Sequence, residues 1–280
     1  MPMPVVDVNA YVGDWPFRPL RHNRPASLGR ALQAVGVTRA LVSPLAAIFR
    51  QECQSANAEL LRALRGRGGF FVPVPAINPG YPGWEDDLEA ALRARAPGVR
   101  LFPNYHAYLL DDPAIRAAVG QAAAAGLTIF ISLRMQDERH HHPRMMVPAV
   151  PADEVASLAR ALPDARIIAG MARYTEAESL LAAHAAGDVI VSAKEESCPR
   201  QTATGHCPNG VFLDLSGVQG PVGCVDLLAE RFGAERLLMG TGAPLQYPLP
   251  GVAKIHASEL PAAARDQILG GNAAALLGLT

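Results

Sequence analysis

The run Phe70-Phe71-Val72-Pro73-Val74 is apolar from end to end. A strand with one face in water alternates apolar and polar residues. A strand without alternation is buried on both faces, as the strands of parallel sheets are. Outward from this run, other short apolar, β-branched segments repeat along the chain. The strands predicted are Val5–Tyr11, Ala40–Pro44, Phe70–Ile77, Gly98–Asn104, Leu127–Arg134, Arg166–Met171, Val211–Ser216 and Arg236–Gly242. Their starts fall 25 to 45 residues apart, close to the roughly 30-plus residues of a strand–helix–strand unit.

Between the strands the pattern becomes helical. Trp84–Arg95 carries Leu88 and Leu92 four apart on one face. Asp111-Asp112-Pro113 opens a helix, with Asp112 as N-cap and Pro113 at the first helical position. Pro151-Ala152-Asp153-Glu154 opens another with acids in its first turn. Glu259–Leu277 is a final helical region, broken at Gly270-Gly271-Asn272. Eight strands, each followed by a helix, predict an α/β fold of the (β/α)8 TIM-barrel type, one domain over residues 1–280. An open doubly wound sheet is the alternative. It is weakened because no Gly-x-Gly-x-x-Gly follows the first strand.

Composition narrows the partners. The chain has 280 residues, half of them hydrophobic, a formal net charge of −1 and a pI near 6.7. Such a chain has no global field to draw nucleic acid or an anionic membrane. The start lacks the basic and apolar regions of a secretory signal. The most apolar stretch, Ala117–Leu133, is interrupted by Gly120, Gln121, Gly126 and Thr128, so it reads as a helix and a strand rather than a membrane span. Four cysteines in 280 residues are no disulfide scaffold. A cytoplasmic protein is expected, with a small-molecule substrate, no nucleic-acid or membrane partner, and a homo-oligomer left open.

Several segments, taken in order, resemble the amidohydrolase-related family of metal-dependent TIM barrels. They are Asp7-Val8-Asn9-Ala10-Tyr11 at the first strand, Gly98–His106 at the fourth, Val211–Gly217 at the seventh, Met239-Gly240-Thr241-Gly242-Ala243-Pro244 at the eighth and Leu269–Gly278 in the closing helix. The resemblance implies a metal-dependent hydrolase, or less often a decarboxylase or lyase, working at the C-terminal face of the barrel. The ligand positions differ from the family pattern. Asn9 and Tyr11 stand where it has His-x-His, Ser132 and Met171 where its fifth and sixth strands end in histidine, and Gly242 where its eighth has aspartate. Zinc is held by imidazole, thiolate or carboxylate. The expectation is therefore no metal at the standard site, with zinc or another divalent metal at a relocated site left open.

The loop Ser132–Arg144 after the fifth strand is the richest in chemistry. Arg134 could clamp an anion in bidentate fashion. Asp137 with a histidine could do acid–base work. His140, His141 and His142, with His106, could hold a displaced metal. The competing reading is a solvated polar loop whose charges pair with one another. The expected catalytic residues are His106, Arg134 and Asp137, with His106 read equally as a histidine hydrogen-bonded to a neighbouring loop. The expected substrate-binding residues are Asn9, Tyr11, Arg100 and His141, with Asn9 and Tyr11 read equally as plugs that fill the space of the lost ligands. Asp214 is either a carboxylate at the barrel mouth or a hydrogen-bonded core group. Cys198, His206 and Cys207 fall on an insertion before the seventh strand, read as an ordinary loop. Two functions remain: a hydrolase-like enzyme using acid–base chemistry on an anionic substrate, and a barrel that binds a ligand or partner without catalysis.

Overall fold

In the computed structural model residues 3–142, 144, 146–188 and 210–279 are described, with 183–188 described in backbone only. Among the described residues eight parallel strands form the sheet. They are β1 Val6–Val12, β2 Arg39–Pro44, β3 Phe71–Pro73, β4 Gly98–Leu101, β5 Thr128–Ser132, β6 Arg166–Gly170, β7 Gly210–Asp214 and β8 Leu237–Leu238. They pair in sequence order, β1 to β3 and β4 to β8. The peptide hydrogen bonds of Arg100 with Pro75 O (2.8 Å) and Ile77 N (3.1 Å) join β3 to β4. The ring closes where Val8 N donates to Met239 O at 3.0 Å and Gly242 N donates to Asn9 O at 2.8 Å. The expected (β/α)8 barrel is the fold.

Most strands are shorter than predicted. Phe71–Pro73 is what remains of Phe70–Ile77, because Pro73 and Pro75 have no N–H to give to a ladder. Asp112 caps its helix as expected, accepting from Ala114 N at 2.8 Å. The predicted break at Gly270-Gly271-Asn272 is instead a wide turn over Gln267–Gly271, continuous with the helix Asn272–Leu277. The Cys198, His206 and Cys207 loop lies outside the described residues.

The core has two layers. Inside the barrel Val6, Val8, Leu41, Val74, Phe130, Ile168, Phe212 and Leu238 meet, with Leu276 and Leu277 of the last helix packed against them. Outside it, helices lay Leu28, Leu60, Leu88, Val119, Leu158 and Leu228 against the sheet. Each such side chain contributes about 1.5–3 kcal/mol by leaving water.

The β1–β8 seam carries a buried acid. Asp7 is fully buried and accepts from Asn9 N (3.0 Å), Thr241 N (3.0 Å) and Thr241 Oγ1 (2.6 Å). The pairing of β1 with β2 slips between Asp7 and Ala10. Such an irregularity breaks the alternation of faces, and it turns Asn9 and Tyr11 inward together with Val8. Burial pushes the Asp7 carboxyl up from 3.8 to about 6, against the pull of its hydrogen bonds. A carboxyl raised on folding binds protons more tightly in the native state, so its contribution to stability grows as pH falls from about 6 towards 4. In Asp7→Asn, Oδ1 can keep the two backbone donors while Nδ2 donates to Thr241 Oγ1. Urea unfolding of this variant is expected to show a gain at pH 8 of up to about 3 kcal/mol and a flatter stability profile between pH 4 and 6. A variant as pH-dependent as the parent would show that Asp7 is not the titrating group.

Candidate functional site at the barrel mouth

At the C-terminal ends of the strands a charged residue stands inside the barrel. Arg100, on β4, is 2% exposed. Its guanidinium lies over the rings of Tyr11 (4.9 Å) and Phe130 (5.2 Å), a stacking that favours a desolvated cation. Nη1 donates to Asn9 Oδ1 and Tyr11 Oη, both at 2.7 Å, and Nη2 donates to Val8 O at 3.1 Å. Tyr11 Oη is in turn 3.0 Å from Ser132 Oγ.

The compensating charge arrives through Asn9. Its Nδ2 donates to Asp214 Oδ2 at 2.6 Å and to Ser216 Oγ at 2.9 Å. Asp214 also accepts from Ser216 N (2.8 Å) and Ser216 Oγ (2.6 Å). Room for this carboxylate comes from Gly240 on its β8 side, where a Cβ would fall 1.8 Å from Asp214 Oδ1. Burial pushes the Asp214 carboxyl up, opposed by its hydrogen bonds and by Arg100. Burial likewise raises the Tyr11 phenol, which stays neutral. Asp214 is thus both a mouth carboxylate and a hydrogen-bonded core group.

Asn9, Tyr11, Arg100, Ser132, Asp214 and Ser216 are all at most 3% exposed. They form a closed polar layer. The expectation that Asn9, Tyr11 and Arg100 bind substrate directly meets a physical obstacle: their polar atoms, apart from Arg100 Nε, are spent on one another or on buried neighbours. Removing one member leaves buried partners unpaired, at a cost of about 3–5 kcal/mol.

Above this layer is a cavity of about 300 Å³, lined by Arg134, Asp137, Arg139, Met171, Arg173, Gly217, Gln219 and Gln246. Met171 belongs to its lining with a left-handed backbone, φ +60°. Its sulfur is 3.3 Å from Ser216 Oγ and 3.5 Å from Gln246 Nε2. Only glycine fits at 217, since a Cβ there would lie 2.5 Å from the Met171 carbonyl carbon. A non-glycine residue at positive φ costs about 1–3 kcal/mol, and such residues cluster at functional sites.

The predicted catalytic residues divide. Arg134 and Asp137 line the cavity, whereas His106 does not. Arg134 is no free clamp: its Nη1 and Nη2 hold Glu176 at 2.7 and 2.5 Å, and Nη1 also donates to Met171 O at 2.7 Å. Burial alone would lower its pKa, but Glu176 and Glu138 outweigh it and keep the guanidinium charged. Asp137 is held by Arg139, at 2.8 and 2.7 Å, and lies well below the usual carboxylate range. It is therefore a weak base. His106 is buried. Its Nε2–H donates to Ala47 O at 2.8 Å, and its Nδ1 has no partner among the described residues. Desolvation lowers its pKa, so it is neutral at pH 7. His141 Nδ1 accepts from Val147 N at 3.4 Å and does not line the cavity. No three His, Cys, Asp or Glu side chains converge as a metal cluster among the described residues, so the loop histidines and His106 do not form the relocated site. Sequence reading missed Glu176, Arg173, Gln219 and Gln246. Their signal was position, since they follow the ends of β6, β7 and β8, where a barrel builds its site.

One substitution measures the closed layer. Arg100→Met keeps the stem and removes the charge, orphaning the acceptors on Asn9, Tyr11 and Val8. Urea unfolding is expected to show a loss of about 3–5 kcal/mol, and Arg100→Lys should recover less than half, since one ammonium cannot reach all three acceptors. A loss under about 1 kcal/mol for Arg100→Met would mean the layer is not held by the guanidinium.

Comparison with solved structures places the fold in known company. A 2,6-dihydroxybenzoate decarboxylase complexed with 2,6-dihydroxybenzoate matches with a TM-score of 0.71 at 16% identity, over 99% of this chain and all of that one. A dihydroxybenzoic acid decarboxylase from Polaromonas sp. JS666, with bound manganese and the inhibitor 2-nitroresorcinol, gives 0.72 at 15%, over 100% and 98%. A 5-carboxyvanillate decarboxylase from Novosphingobium aromaticivorans DSM 12444, complexed with manganese and 4-hydroxy-3-methoxy-5-nitrobenzoic acid, gives 0.65 at 18%, over 89% and 79%. No curated protein matches in sequence. The manganese in two of these structures overturns the expectation that the standard site goes without a metal, an inference drawn only from changed side chains. The mouth of this chain offers an ion oxygen donors: Asp214, Asn9 Oδ1 and the hydroxyls of Tyr11, Ser132 and Ser216. As placed, these oxygens face Arg100 or one another. In this arrangement they do not form a cage for an ion. The family model described as amidohydrolase matches residues 7–279, and the chain belongs to that family.

Proposed function

We propose that this chain is a small-molecule enzyme whose substrate is an organic acid about the size of a substituted benzoate, bound in the cavity over Met171. The cavity itself carries the reading. Its volume of about 300 Å³ is at the lower end of ordinary ligand sites, and it has three arginines and two glutamines on its wall. Arg173 and Arg139 are exposed enough to meet a ligand, with side chains 52% and 81% accessible. Their guanidinium forks suit a carboxylate. Gln219 and Gln246 offer amide donors and acceptors for ring substituents, and Met171 a polarisable apolar surface for the ring. Arg134 acts indirectly. It ties the loop after β5 to Glu176 and so fixes where Asp137 and Arg139 stand. Decarboxylases of hydroxylated aromatic acids, with ligands of this size, share the fold, which supports the class of substrate.

A second reading, ligand binding without turnover, has one observation in its favour. The acids beside the cavity are already paired, Asp137 with Arg139 and Glu138 with Arg134 and Arg173. Among the described residues no histidine lines it, so no side chain described on its wall is poised near neutral pH to move a proton.

A single titration with a paired product assay separates the readings. The protein is supplied with Mn²⁺, the ion present in the related decarboxylases, and titrated with 2,6-dihydroxybenzoate and 4-hydroxy-3-methoxybenzoate. Calorimetry is expected to give a Kd in the micromolar to millimolar range. Arg173→Ala should weaken it 5- to 20-fold with Tm unchanged, because Arg173 meets water and contributes little to the fold. Chromatography should detect the decarboxylated phenol. Binding without product would favour the second reading. An Arg173→Ala variant with unaltered affinity would remove the cavity from the function.

A further inference from the structure

We propose that a second cavity, between the loops after β1 and β8, is a binding site for a small monocarboxylate with an apolar body. Its volume is about 200 Å³, enough for one ring or a short chain. The wall is apolar, with Leu28 from the helix Pro25–Gln33 on one side and Pro244 and Leu245 on the other. The rim is basic, formed by Arg18, Arg21 and His22. No carboxylate belongs to the lining among the described residues.

Several surface arginines stand beside acids, as Arg24 does with Asp14, Arg50 with Glu59 and Arg231 with Glu178. At this rim Arg18 is anchored by one nitrogen, Nη2 donating to Leu245 O at 2.7 Å. That bond holds its fork at the cavity edge with other N–H groups to spare. Arg21 is exposed and has no hydrogen-bond or ion-pair partner among the described residues. His22 adopts a left-handed backbone at φ +59°, a conformation retained where the surroundings dictate it. Two guanidinium groups over an apolar wall recognise a carboxylate by fork-to-fork hydrogen bonds, and the wall takes its hydrocarbon. The exposed arginines suit an anion that keeps part of its hydration, so affinity is modest. Gln246 lines both cavities and marks where this site borders the mouth. The proposal does not depend on what the mouth cavity binds.

The test uses the full-length ¹⁵N-labelled protein and phenylacetate, with 2-phenylethanol as neutral analogue and inorganic phosphate as the bare anion. Phenylacetate is expected to shift the amides of residues 18–22 and 245–247 in a saturable manner, with little response to 2-phenylethanol or phosphate. Arg21→Ala combined with His22→Gly, which tolerates the left-handed backbone, should weaken phenylacetate at least fivefold without changing Tm. Arg173→Ala, at the mouth, should leave this titration unchanged. Shifts confined to residues 134–139 and 171–173 would overturn the proposal. So would equal binding of 2-phenylethanol, phosphate moving the same amides as strongly as phenylacetate, or an unaltered affinity in the double variant.

Discussion

A positive charge held inside a hydrophobic barrel constrains everything around it. Moving a guanidinium out of water costs several kcal/mol unless it is paired and its donors are used. Arg100 meets that requirement at Nη1 and Nη2, with Asn9, Tyr11 and Val8 as acceptors, two aromatic faces, and the carboxylate of Asp214 one residue away through Asn9, while its buried Nε has no partner among the described residues. Each partner then makes its own demand. Asp214 needs Ser216 for its remaining lone pairs and glycine at 240 for space. Asn9 must face inward, which the slip in β1 permits. Tyr11 must keep its proton to share a hydrogen bond with Ser132 while accepting from Arg100. The layer is a set of mutually dependent choices, and a conservative change at one position strands polar atoms at several.

Closing this layer moves the ligand-accessible surface upward. With the central polar groups sealed, the space a small molecule can enter begins at Met171, above Ser216. Its wall is organised by a second charge network, distinct in character from the first. Arg134, buried and bidentate to Glu176, is its fixed point. Arg139 and Arg173 are its solvent-facing edge, paired with Asp137 and Glu138 but open to water. Surface pairs of that kind are worth about 0–1 kcal/mol, so a ligand carboxylate can compete for these arginines at small cost. Arg134 cannot be recruited in the same way without leaving Glu176 exposed to the loss.

The barrel was legible in the sequence because the signals that specify it are local. Continuous apolar runs, helix caps and regular spacing are properties of neighbouring residues, and the apolar run Phe70–Val74 was enough to indicate a strand of a parallel sheet. Strand lengths were less legible: prolines at 73 and 75 deny the ladder its donors, and that shortens β3. The site was legible only as a location. Arg134 reads as an open clamp until Glu176, 42 residues later, is seen to occupy it. His106 reads as acid–base machinery until Ala47 O takes its Nε2–H. Met171 reads as an altered ligand position, whereas its left-handed backbone and its contact with Gly217 are invisible in residue identity. Pairing across the barrel is set by long-range geometry, and single-sequence patterns carry none of it. The same limit applies to inferring metal content from ligand identities alone, an inference that manganese-bound neighbours of this fold do not support.

The two charge layers should respond differently to solution conditions. Salt screens charges exposed to water over about 8–10 Å at ordinary ionic strength, and buried pairs much less. Arg100 and Asp214 lie within the barrel with at most 2% exposure, so the polar layer holds its geometry across salt concentrations. The rim formed by Arg139 and Arg173 faces solvent, and any anion it attracts is held against competing chloride or phosphate. This separation gives the fold a rigid base and an adjustable edge. The base sets the shape of the cavity floor, through Ser216 and the constrained Met171. The edge is the part of the wall that faces anions in solution. A barrel whose central charge is fixed by protein groups can therefore vary its ligand through loop residues after β5, β6 and β7 while the interaction that organises the strand ends stays intact.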